Sequence, residues 1–337
     1  MEVQVTSDNR DFLAYCDFFL GAFNSQQSGG RAAIAVHFSG QPPFGGAPLE
    51  IFGSDAKRYG GGYRLQAHAA SRIQCEVRTE ADGSQTILCF IKLNRLRELL
   101  NLLHNHRQRK RQLWMTIIRQ AVLLPALAMA MVRRPLAIVH ASGVARDGQG
   151  MLFTGLNGCG KSGLALAQLK RADTLLLSDN FGILDASACS THAFPEPVRL
   201  DATARPDQAH FDPLPGLVFG KTQWLPRPSK LSEPCALRLL ATVSIGDRFQ
   251  VRRRTAGEMV SELLAVHRYL AETPEYTWLH YLYHLMHGID LHQLAVERLR
   301  SICVSTETVA VVLPRAADER ERYRELDAWL PTILSKS

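Results

Sequence analysis

Alternation of hydrophobic and polar residues gives the first third of the chain the character of a β-sheet region. Short runs containing Val, Ile and Tyr are separated by clusters of Gly, Asp and Ser, a pattern typical of strands joined by turns. The Asp82-Gly83 pair between two runs predicts a hairpin, and a short helix is expected over residues 11–23. The predicted strands are residues 32–38, 63–68, 72–77 and 86–91, and residues 40–46 form a Gly/Pro-rich turn region.

A long helical pattern follows from about residue 93 to residue 132, with a break expected where Pro125 cannot donate a hydrogen bond. Its apolar part, residues 113–132, is about as long as a membrane span. It also carries Arg119 and Gln120, and charged residues are costly at the centre of a bilayer. We therefore predict a buried helix in a soluble protein with no membrane partner.

Strands alternate with helices through the rest of the chain, which predicts an α/β core. A hairpin-like turn is expected at residues 146–149, between strands 136–144 and 150–154. Residues 195–234 contain eight prolines and little periodicity, so we expect a long loop that is functional or mobile. The other predicted elements are helix 161–171, strand 174–177, strands 237–245 and 248–253, helices 255–270 and 276–299, strand 309–313 and helix 316–334.

Length and composition allow one large or two modest domains. Of the 337 residues, 46% are hydrophobic and 21% are charged, ordinary values for a globular protein. The seven cysteines form no CxxC pair, which favours reduced thiols and a cytoplasmic location over a disulfide framework. Residues 1–10 are polar, so we expect no secretory signal peptide there.

The formal charge of +7 and the isoelectric point near 9.1 indicate an acidic partner. ATP, an acidic protein and nucleic acid all fit this description, and a nucleic-acid role has no support other than charge. The basic run at residues 107–111 is either the solvated end of a helix or a docking patch for an acidic substrate.

A glycine-rich segment supplies the strongest motif of the sequence. Residues 155–162 read GLNGCGKS and fit the pattern GxxxxGK[ST] completely. Glycines let successive backbone N–H groups point at phosphate oxygens, and the start of the following helix adds its positive dipole end. The lysine would contact the outer phosphates of ATP, and the serine hydroxyl would ligate Mg²⁺. The predicted cofactor-binding residues are Gly155, Leu156, Asn157, Gly158, Cys159, Gly160, Lys161 and Ser162.

The residues around this loop narrow the class of protein. The stretch VHASGV at 139–144, the loop itself and LSDN at 177–180 together resemble the catalytic domain of the HPr serine kinase/phosphorylase family and its HPr-kinase-like relatives. Those proteins share a phosphate-loop fold with phosphoenolpyruvate carboxykinase. The resemblance covers residues 135–200 clearly and extends plausibly to residue 270. It implies an α/β fold with a phosphate-loop core, a strand-rich N-terminal region and a helical C-terminal part.

The same resemblance implies roles for three catalytic residues. His140 would lie near the γ-phosphate, Lys161 would hold phosphate, and Asp179 would act as general base toward an acceptor hydroxyl. Independently of the family, Asp179 ends an apolar strand that begins 13 residues after Lys161, where a parallel neighbouring strand would deliver it to the loop. Asp179 could alternatively be a turn residue or a Mg²⁺ ligand beside Ser162, and His140 could be a core histidine.

The chain departs from the family pattern at two points. Many members have two consecutive acidic residues where this sequence has Ser178-Asp179, and the downstream LEIRGxG segment has no match. Glu196 and Asp201 are the nearest substitutes for its Mg²⁺-ligating glutamate. The N-terminal third also matches nothing in the HPr enzyme. We therefore infer neither HPr as the substrate nor a phosphorylase reaction.

Four further groups of residues are weaker candidates. Cys159 is either an inert small side chain or a thiolate activated by the helix start. The lysines Lys221 and Lys230 could reach a transferred phosphoryl group. The arginine run at 252–254 could contact phosphate or end a strand in solvent. His280, His284, His287 and His292 could bind Zn²⁺, but an aromatic packing helix is the favoured interpretation.

The sequence therefore predicts two domains, residues 1–133 for substrate recognition and residues 134–337 as an HPr-kinase-like phosphate-loop kinase domain. The expected activity is ATP-dependent phosphorylation of a hydroxyl, on Ser or Thr of a protein or peptide substrate. A small-molecule hydroxyl kinase and a catalytically silent nucleotide-binding regulator are the alternatives. A homo-oligomer is compatible with the sequence, which does not define the oligomeric state.

Overall fold

The periodicity of the chain is realised as a mixed α/β fold with several sheets and C-terminal helices. The chain divides into two compact units, one formed by the residues up to Arg133 together with residues 274–290, and the other by Arg134–Thr273 and Leu291–Ser337. The computed structural model describes residues 2–20, 31–38, 50–52, 56–59, 62–67, 71–79, 85–93, 114, 117–194, 196–201, 205–218, 221–271, 291–315 and 319–335.

The first unit contains a sheet of seven strands within its described residues, in the order β1-β2-β7-β6-β5-β4-β3. Alternating residues of β2 and β7, such as Ile34 and Ile87, are fully buried, as the period of a strand requires. Helix α1 begins after Asn9, whose Oδ1 accepts a hydrogen bond from the Phe12 amide at 3.1 Å. The elements are β1 Glu2–Ser7, α1 Arg10–Leu20, β2 Arg31–His37, β3 Glu50–Phe52, β4 Ala56–Tyr59, β5 Gly62–Ala67, β6 Ser71–Thr79 and β7 Gln85–Leu93.

The predicted helix and four strands of this region are confirmed with small shifts of their ends. The predicted hairpin is also confirmed, since β6 and β7 pair antiparallel from Thr79 opposite Gln85. Its turn, Asp82-Gly83, and the turn region 40–46 lie outside the described residues. Strand β1 was missed, because the polar residues 1–10 give no hydrophobic run.

The helical pattern predicted from residue 93 is observed in its second half only, because β7 extends to Leu93 and residues 94–113 are outside the described part. A π-helical turn, Arg119–Leu123, leads into α2, Leu124–Arg133. The Leu124 amide bonds to the Arg119 carbonyl, five residues back, and this wider turn accommodates Pro125, which has no amide hydrogen. The helix therefore continues through Pro125 instead of breaking there. No helix among the described residues is long and apolar enough to cross a membrane.

The second unit is built on a mixed sheet that has eight strands among the described residues. In this sheet, β9 lies between β16 and its antiparallel hairpin partner β8. Strands β9, β16 and β18 run parallel to one another. The elements are β8 Leu136–Arg146, β9 Gln149–Thr154, α3 Lys161–Leu169, β10 Thr174–Ser178, β11 Phe181–Asp185, β12 Ser190–His192, β16 Cys235–Gly246, β17 Gln250–Arg253, α4 Ala256–Ala271, α5 Leu291–Ser305, β18 Glu307–Pro314 and α6 Glu319–Leu334.

Strands β11 and β12 were missed, and the other elements confirm the predicted strands and helices of the core, with two qualifications. Strand β18 pairs with both β16 and β17 and separates them in the sheet. Of the helix predicted over residues 276–299, only the part from Leu291 is described. One face of the sheet forms a core cluster with α3 and α6, including Phe153 and Leu164, and the other face packs against α4 and α5.

The region predicted to be a long loop, residues 195–234, instead contains a three-stranded sheet, and the loop prediction was wrong. Its strands are β13 Val198–Asp201, β14 Phe211–Val218 and β15 Lys221–Pro226, in the order β13-β15-β14. Pro213 and Pro215 lie in β14, an edge strand, where a missing amide hydrogen does not interrupt the sheet. One face of this sheet, with Val198 and Trp224, packs into the core cluster of α3.

Candidate functional site

The glycine-rich segment connects a buried strand to a helix, as the motif predicts. Strand β9 ends at Thr154, and α3 begins at Lys161. The preceding hairpin turn has Asp147 and Gly148 at φ of 50° and 73°, which matches the two positive angles of a type I′ turn. The hairpin therefore holds the loop at the end of a fully buried strand, and the predicted turn is confirmed.

The loop needs glycine at three of its positions. Gly155, Gly158 and Gly160 have φ angles of 144°, 82° and 94°, which side-chain-bearing residues rarely adopt. A Cβ at Gly155 would also lie 2.5 Å from the Val243 carbonyl oxygen and 2.9 Å from the Cys159 sulfur. The loop thus closes tightly on the neighbouring strand β16. Leu156, Asn157 and Gly158 are exposed at its tip.

Lys161 is buried and folds back over the loop. Its Nζ donates hydrogen bonds to the carbonyl oxygens of Gly155, at 2.8 Å, and Leu156, at 2.9 Å. Burial lowers the pKa of Lys161, Cys159 and Asp179 act in the opposite direction, and the charge of Lys221 makes the smallest contribution, which lowers it. The amides of the first turn of α3 have no acceptor within the helix. Ammonium and amides together form a site for a polyanion.

Asp179 lies directly after β10, and its carboxylate joins three elements. Its Oδ1 accepts a hydrogen bond from the Ser142 hydroxyl of β8 at 3.0 Å, and its Oδ2 accepts one from the Arg199 amide of β13 at 3.0 Å. Burial raises the pKa of Asp179, and the nearby Ser162 hydroxyl of α3, the Arg199 amide and the Ser142 hydroxyl oppose the rise. The carboxylate is thus held beside the serine of the loop.

Asp179 reaches the loop by a different route from the one predicted. Strand β10 pairs antiparallel with β8, not parallel with the strand that precedes the loop. Because β8 is itself antiparallel to β9, β10 runs in the same direction as β9 with β8 between them. Both strands therefore end at the same edge of the sheet, and Asp179 arrives there although the two strands are not neighbours.

His140 lies on β8. Ser142 follows it two positions later and therefore lies on the same face of the strand. The Nδ1 of His140 is 3.1 Å from the Asn180 carbonyl oxygen. Burial lowers the pKa of His140 to about 4, the charge of Lys161 adds to this effect, and the hydrogen bond that Nδ1–H donates to the Asn180 carbonyl opposes it. The imidazole is therefore neutral near pH 7, which makes it a hydrogen-bonding group and not a cation at that pH.

The weaker candidates have different locations. Cys159 is partly exposed, with its sulfur 3.9 Å from Lys161 Nζ. Glu196 is buried, whereas Asp201 is exposed and lies 4.0 Å from Lys221. Lys230 lies at the opposite end of α3 from the loop, with its Nζ 3.4 Å from the Arg171 carbonyl oxygen.

The arginine run contacts protein groups. Arg252 donates to Gln250, Arg253 pairs with Glu307 at 3.2 Å, and Arg254 pairs with Glu262 at 2.7 Å. Three of the candidate histidines and the basic run 107–111 lie outside the described residues, as does the side chain of His292. Within the described part of the chain, no group of three or more His, Cys, Asp or Glu residues is arranged to hold a metal ion.

The structure therefore brings together Lys161, Ser162, Asp179 and His140 at the end of β9. It adds two residues that sequence reasoning missed. Strand alternation could have identified Ser142, which shares a face with His140, but Arg199 contributes a backbone amide that leaves no trace in the sequence. No protein-family model matches the chain, and no curated protein is significantly similar to it.

Proposed function

We propose that this protein is an ATP-dependent kinase of the HPr-kinase-like, phosphate-loop type, which transfers the γ-phosphoryl group of ATP to a hydroxyl. One observation carries the proposal. The buried carboxylate of Asp179 is held by Ser142 and the Arg199 amide, close enough to Ser162 of the loop for that hydroxyl to lower its pKa, and the same loop supplies Lys161. Phosphoryl transfer requires a phosphate cradle, charge neutralisation and a carboxylate near the acceptor, and these residues supply all three.

The loop and Lys161 hold the triphosphate. Without nucleotide, the Lys161 ammonium donates hydrogen bonds to two loop carbonyls. When ATP binds, its phosphate oxygens take the place of these two acceptors. This exchange costs little reorganisation, because the lysine stays inside the loop and its charge gains an anionic partner. In neutral His140, Nδ1–H donates to the Asn180 carbonyl oxygen at 3.1 Å. Its buried Nε2, which has no hydrogen-bond partner among the described residues, is then an acceptor that can bond to a hydroxyl or a water beside the phosphates.

The hydroxyl of Ser162 and the carboxylate of Asp179 fit Mg²⁺, which prefers oxygen ligands and usually keeps several waters. The Ser162 hydroxyl is near enough to the Asp179 carboxylate to lower its pKa, so the two residues would hold Mg²⁺ together, and the ion would supply charge neutralisation for the phosphates. Ser142 and the Arg199 amide hold the carboxylate in position from the other side.

Asp179 is the proposed general base. Burial raises the pKa of this carboxylate when no metal is bound to it, toward the range in which a carboxylate accepts a proton effectively. As the acceptor oxygen bonds to the γ-phosphorus, the hydroxyl proton passes to Asp179 and ADP leaves. The products are a phosphate monoester, ADP and one proton, so atoms and charge balance.

Ser or Thr of a protein or peptide in the cytoplasm is the proposed acceptor. This choice rests on the resemblance of the segments around His140, the loop and Asp179 to HPr-kinase-like proteins. A small-molecule hydroxyl is the competing acceptor. The N-terminal unit, with its seven-stranded sheet, is the proposed substrate-recognition part.

The test combines binding with transfer. The protein is incubated with γ-labelled ATP, Mg²⁺ and an extract of its own cells, and the labelled species are identified. We expect label on a protein or peptide, and loss of labelling in Asp179→Asn by about a hundredfold or more while ATP binding without Mg²⁺ persists. Label on metabolites instead of proteins or peptides would indicate a small-molecule kinase. Tight ATP binding without transfer to any acceptor would indicate a regulator, and an active Asp179→Asn variant would exclude the base assignment.

A further inference from the structure

Arg199 is the residue of β13 that contacts the proposed catalytic carboxylate. Its backbone amide donates a hydrogen bond to Asp179 Oδ2 at 3.0 Å. Only two covalent bonds separate this nitrogen from Cβ, so the Arg199 side chain begins beside the carboxylate. Among the described residues, the guanidinium has no hydrogen bond or ion pair, although the residue is half-buried. A cation with five donors is therefore available next to the carboxylate that is proposed to accept the hydroxyl proton.

The same hydrogen bond determines how Arg199 faces strand β15. Arg199 pairs with Gln223 in the antiparallel ladder of β13 and β15. Because the Arg199 amide points to Asp179 and not to β15, the two residues form a non-hydrogen-bonded pair. In such a pair the Cα atoms are about 4.5 Å apart and the side chains are at their closest. The two side chains are therefore direct neighbours. They lie on the face of the sheet opposite the core residues Val198 and Trp224.

Gln223 has a buried donor without an acceptor. The residue is 3% exposed, and its Nε2 has no hydrogen-bond partner among the described residues. Its neighbour on β14 is Leu214, which has no polar side-chain atom. Its neighbour on β13, the Arg199 guanidinium, has donors only. An unpaired buried amide costs free energy. An oxygen atom of a ligand bound at Arg199 would satisfy both groups.

We propose that Arg199 and Gln223 bind a carboxylate of the acceptor, from an Asp or Glu side chain close in sequence to the Ser or Thr that is phosphorylated. The inference rests on the proposed kinase function and names the class of its substrate, an acidic peptide segment. Arg199 holds the carboxylate with two parallel N–H···O bonds, and Gln223 donates to one of the same oxygens. An extended chain advances about 3.3 Å per residue, so the acidic residue lies within about three residues of the hydroxyl.

Two further points agree with this substrate class. The formal charge of +7 favours an acidic partner. Arg199 and Gln223 read only the residues beside the hydroxyl, so recognition of the rest of the substrate is left to the first unit.

Pairs of synthetic peptides that differ by one charge test the inference. Each peptide contains one Ser, and each of the three positions before and after it carries Glu in one member of a pair and Gln in the other. With γ-labelled ATP and Mg²⁺, we expect at least one Glu peptide to have about tenfold higher kcat/KM than its Gln partner, as for one charge-assisted contact. In Arg199→Gln, which keeps the backbone amide, this ratio should fall to less than about twofold.

Arg227→Ala is the matched control for charge. Its side chain is 45% exposed and pairs with Asp212 of the same sheet at 2.8 Å, but it lies beyond the end of β15. This variant should retain the wild-type ratio of Glu to Gln peptides. If it lost the ratio as Arg199→Gln does, the preference would come from net charge alone and the site would be excluded.

Gln223→Leu separates recognition from packing. Leucine is close to glutamine in volume and buries no unpaired donor, so the midpoint of thermal unfolding should stay the same or rise. The preference for Glu peptides should nevertheless fall about threefold, as for one neutral hydrogen bond. A lower midpoint with an unchanged preference would show that the amide supports only the fold, and would remove Gln223 from the site.

Binding of the same peptides, carrying a fluorophore, in the presence of Mg²⁺–ADP separates this inference from the kinase. A preference for Glu peptides that depends on Arg199, without phosphorylation of any peptide, would support the site and contradict the kinase. Equal phosphorylation of Glu and Gln peptides would overturn the site and leave the kinase standing. Phosphorylation of free hydroxy acids but of no peptide would overturn the peptide assignment. A wild-type protein that neither binds nor phosphorylates these peptides would also overturn it.

Discussion

Burial of a carboxylate next to a lysine and a histidine sets the chemistry of single residues in this site. The Ser142 hydroxyl and the Arg199 amide donate hydrogen bonds to Asp179, which offset part of the cost of removing its charge from water. Burial and the charge of Lys161 lower the pKa of His140 to about 4. The same burial raises the pKa of Asp179 and lowers the pKa of Lys161, so it disfavours the charged form of all three residues.

Protonation of His140 should contribute to the pH dependence of the free energy of unfolding. The pKa of this residue falls from 6.5 to about 4 on folding, so between these values the unfolded chain binds a proton that the folded chain does not. Its contribution is complete above pH 6.5, decreases as the pH falls, and reaches its minimum below pH 4. From pH 7.5 to pH 5, we expect a loss of about 2 kcal/mol in the free energy of unfolding from this residue.

Urea denaturation at pH 7.5 and pH 5 measures this loss in the wild type and in His140→Gln. The variant should show the smaller decrease, since it has no imidazole to protonate. His210→Gln, at a partly exposed position, is the control and should retain the wild-type decrease. If His140→Gln also retained it, the histidine would not be the group responsible.

At the scale of elements, the loop depends on its close approach to β16. An alanine Cβ at Gly155 would meet the Val243 carbonyl oxygen at 2.5 Å, whereas one at Gly148, in the β8–β9 turn, would meet nothing within 4 Å. Both glycines have positive φ, 73° at Gly148 and 144° at Gly155, so at Gly155 the steric contact is added to a larger backbone strain. We expect Gly155→Ala to lower the free energy of unfolding by about 3 kcal/mol and Gly148→Ala by about 1 kcal/mol.

Denaturant titration of the two variants against the wild type checks the difference. Gly155→Ala should also lose nucleotide affinity, because β16 and the loop must separate to admit the methyl group. Equal stability losses in the two variants would mean that backbone strain alone, and not the contact with β16, requires glycine at residue 155.

The same scale shows what sequence patterns can predict. The β8–β9 hairpin, the loop and α3 follow from local signals, namely Asp147-Gly148, the glycines and the helical run after Lys161. The three-stranded sheet does not follow from local signals, because its strands β13 and β15 are short and its prolines resemble loop residues. Proline is compatible with the edge strand β14, but edge position depends on pairing between distant segments. The position of β10 beside β8 also depends on pairing between segments that are distant in the sequence.

For the whole molecule, every residue of the proposed nucleotide site belongs to the second unit. Parallel strands β9, β16 and β18 end at one edge of its sheet, where ligand sites of α/β proteins occur. Both core clusters that support this edge consist of residues from the same unit. The nucleotide site therefore needs no side chain from the seven-stranded sheet.

This independence predicts that residues 134–337, which contain the second unit together with the segment 274–290 of the first, fold and bind Mg²⁺–ATP without the first 133 residues. A unit with its own core can fold alone, so we expect a single cooperative unfolding transition and an ATP affinity within about threefold of the full chain. Acceptor phosphorylation should be lost, since the first unit is the proposed substrate-recognition part. Circular dichroism, calorimetry with ATP and the labelling assay measure the three properties separately. A fragment that folds but no longer binds ATP would show that the first unit contributes to the nucleotide site. A fragment that still labels the acceptor would assign substrate recognition to the second unit.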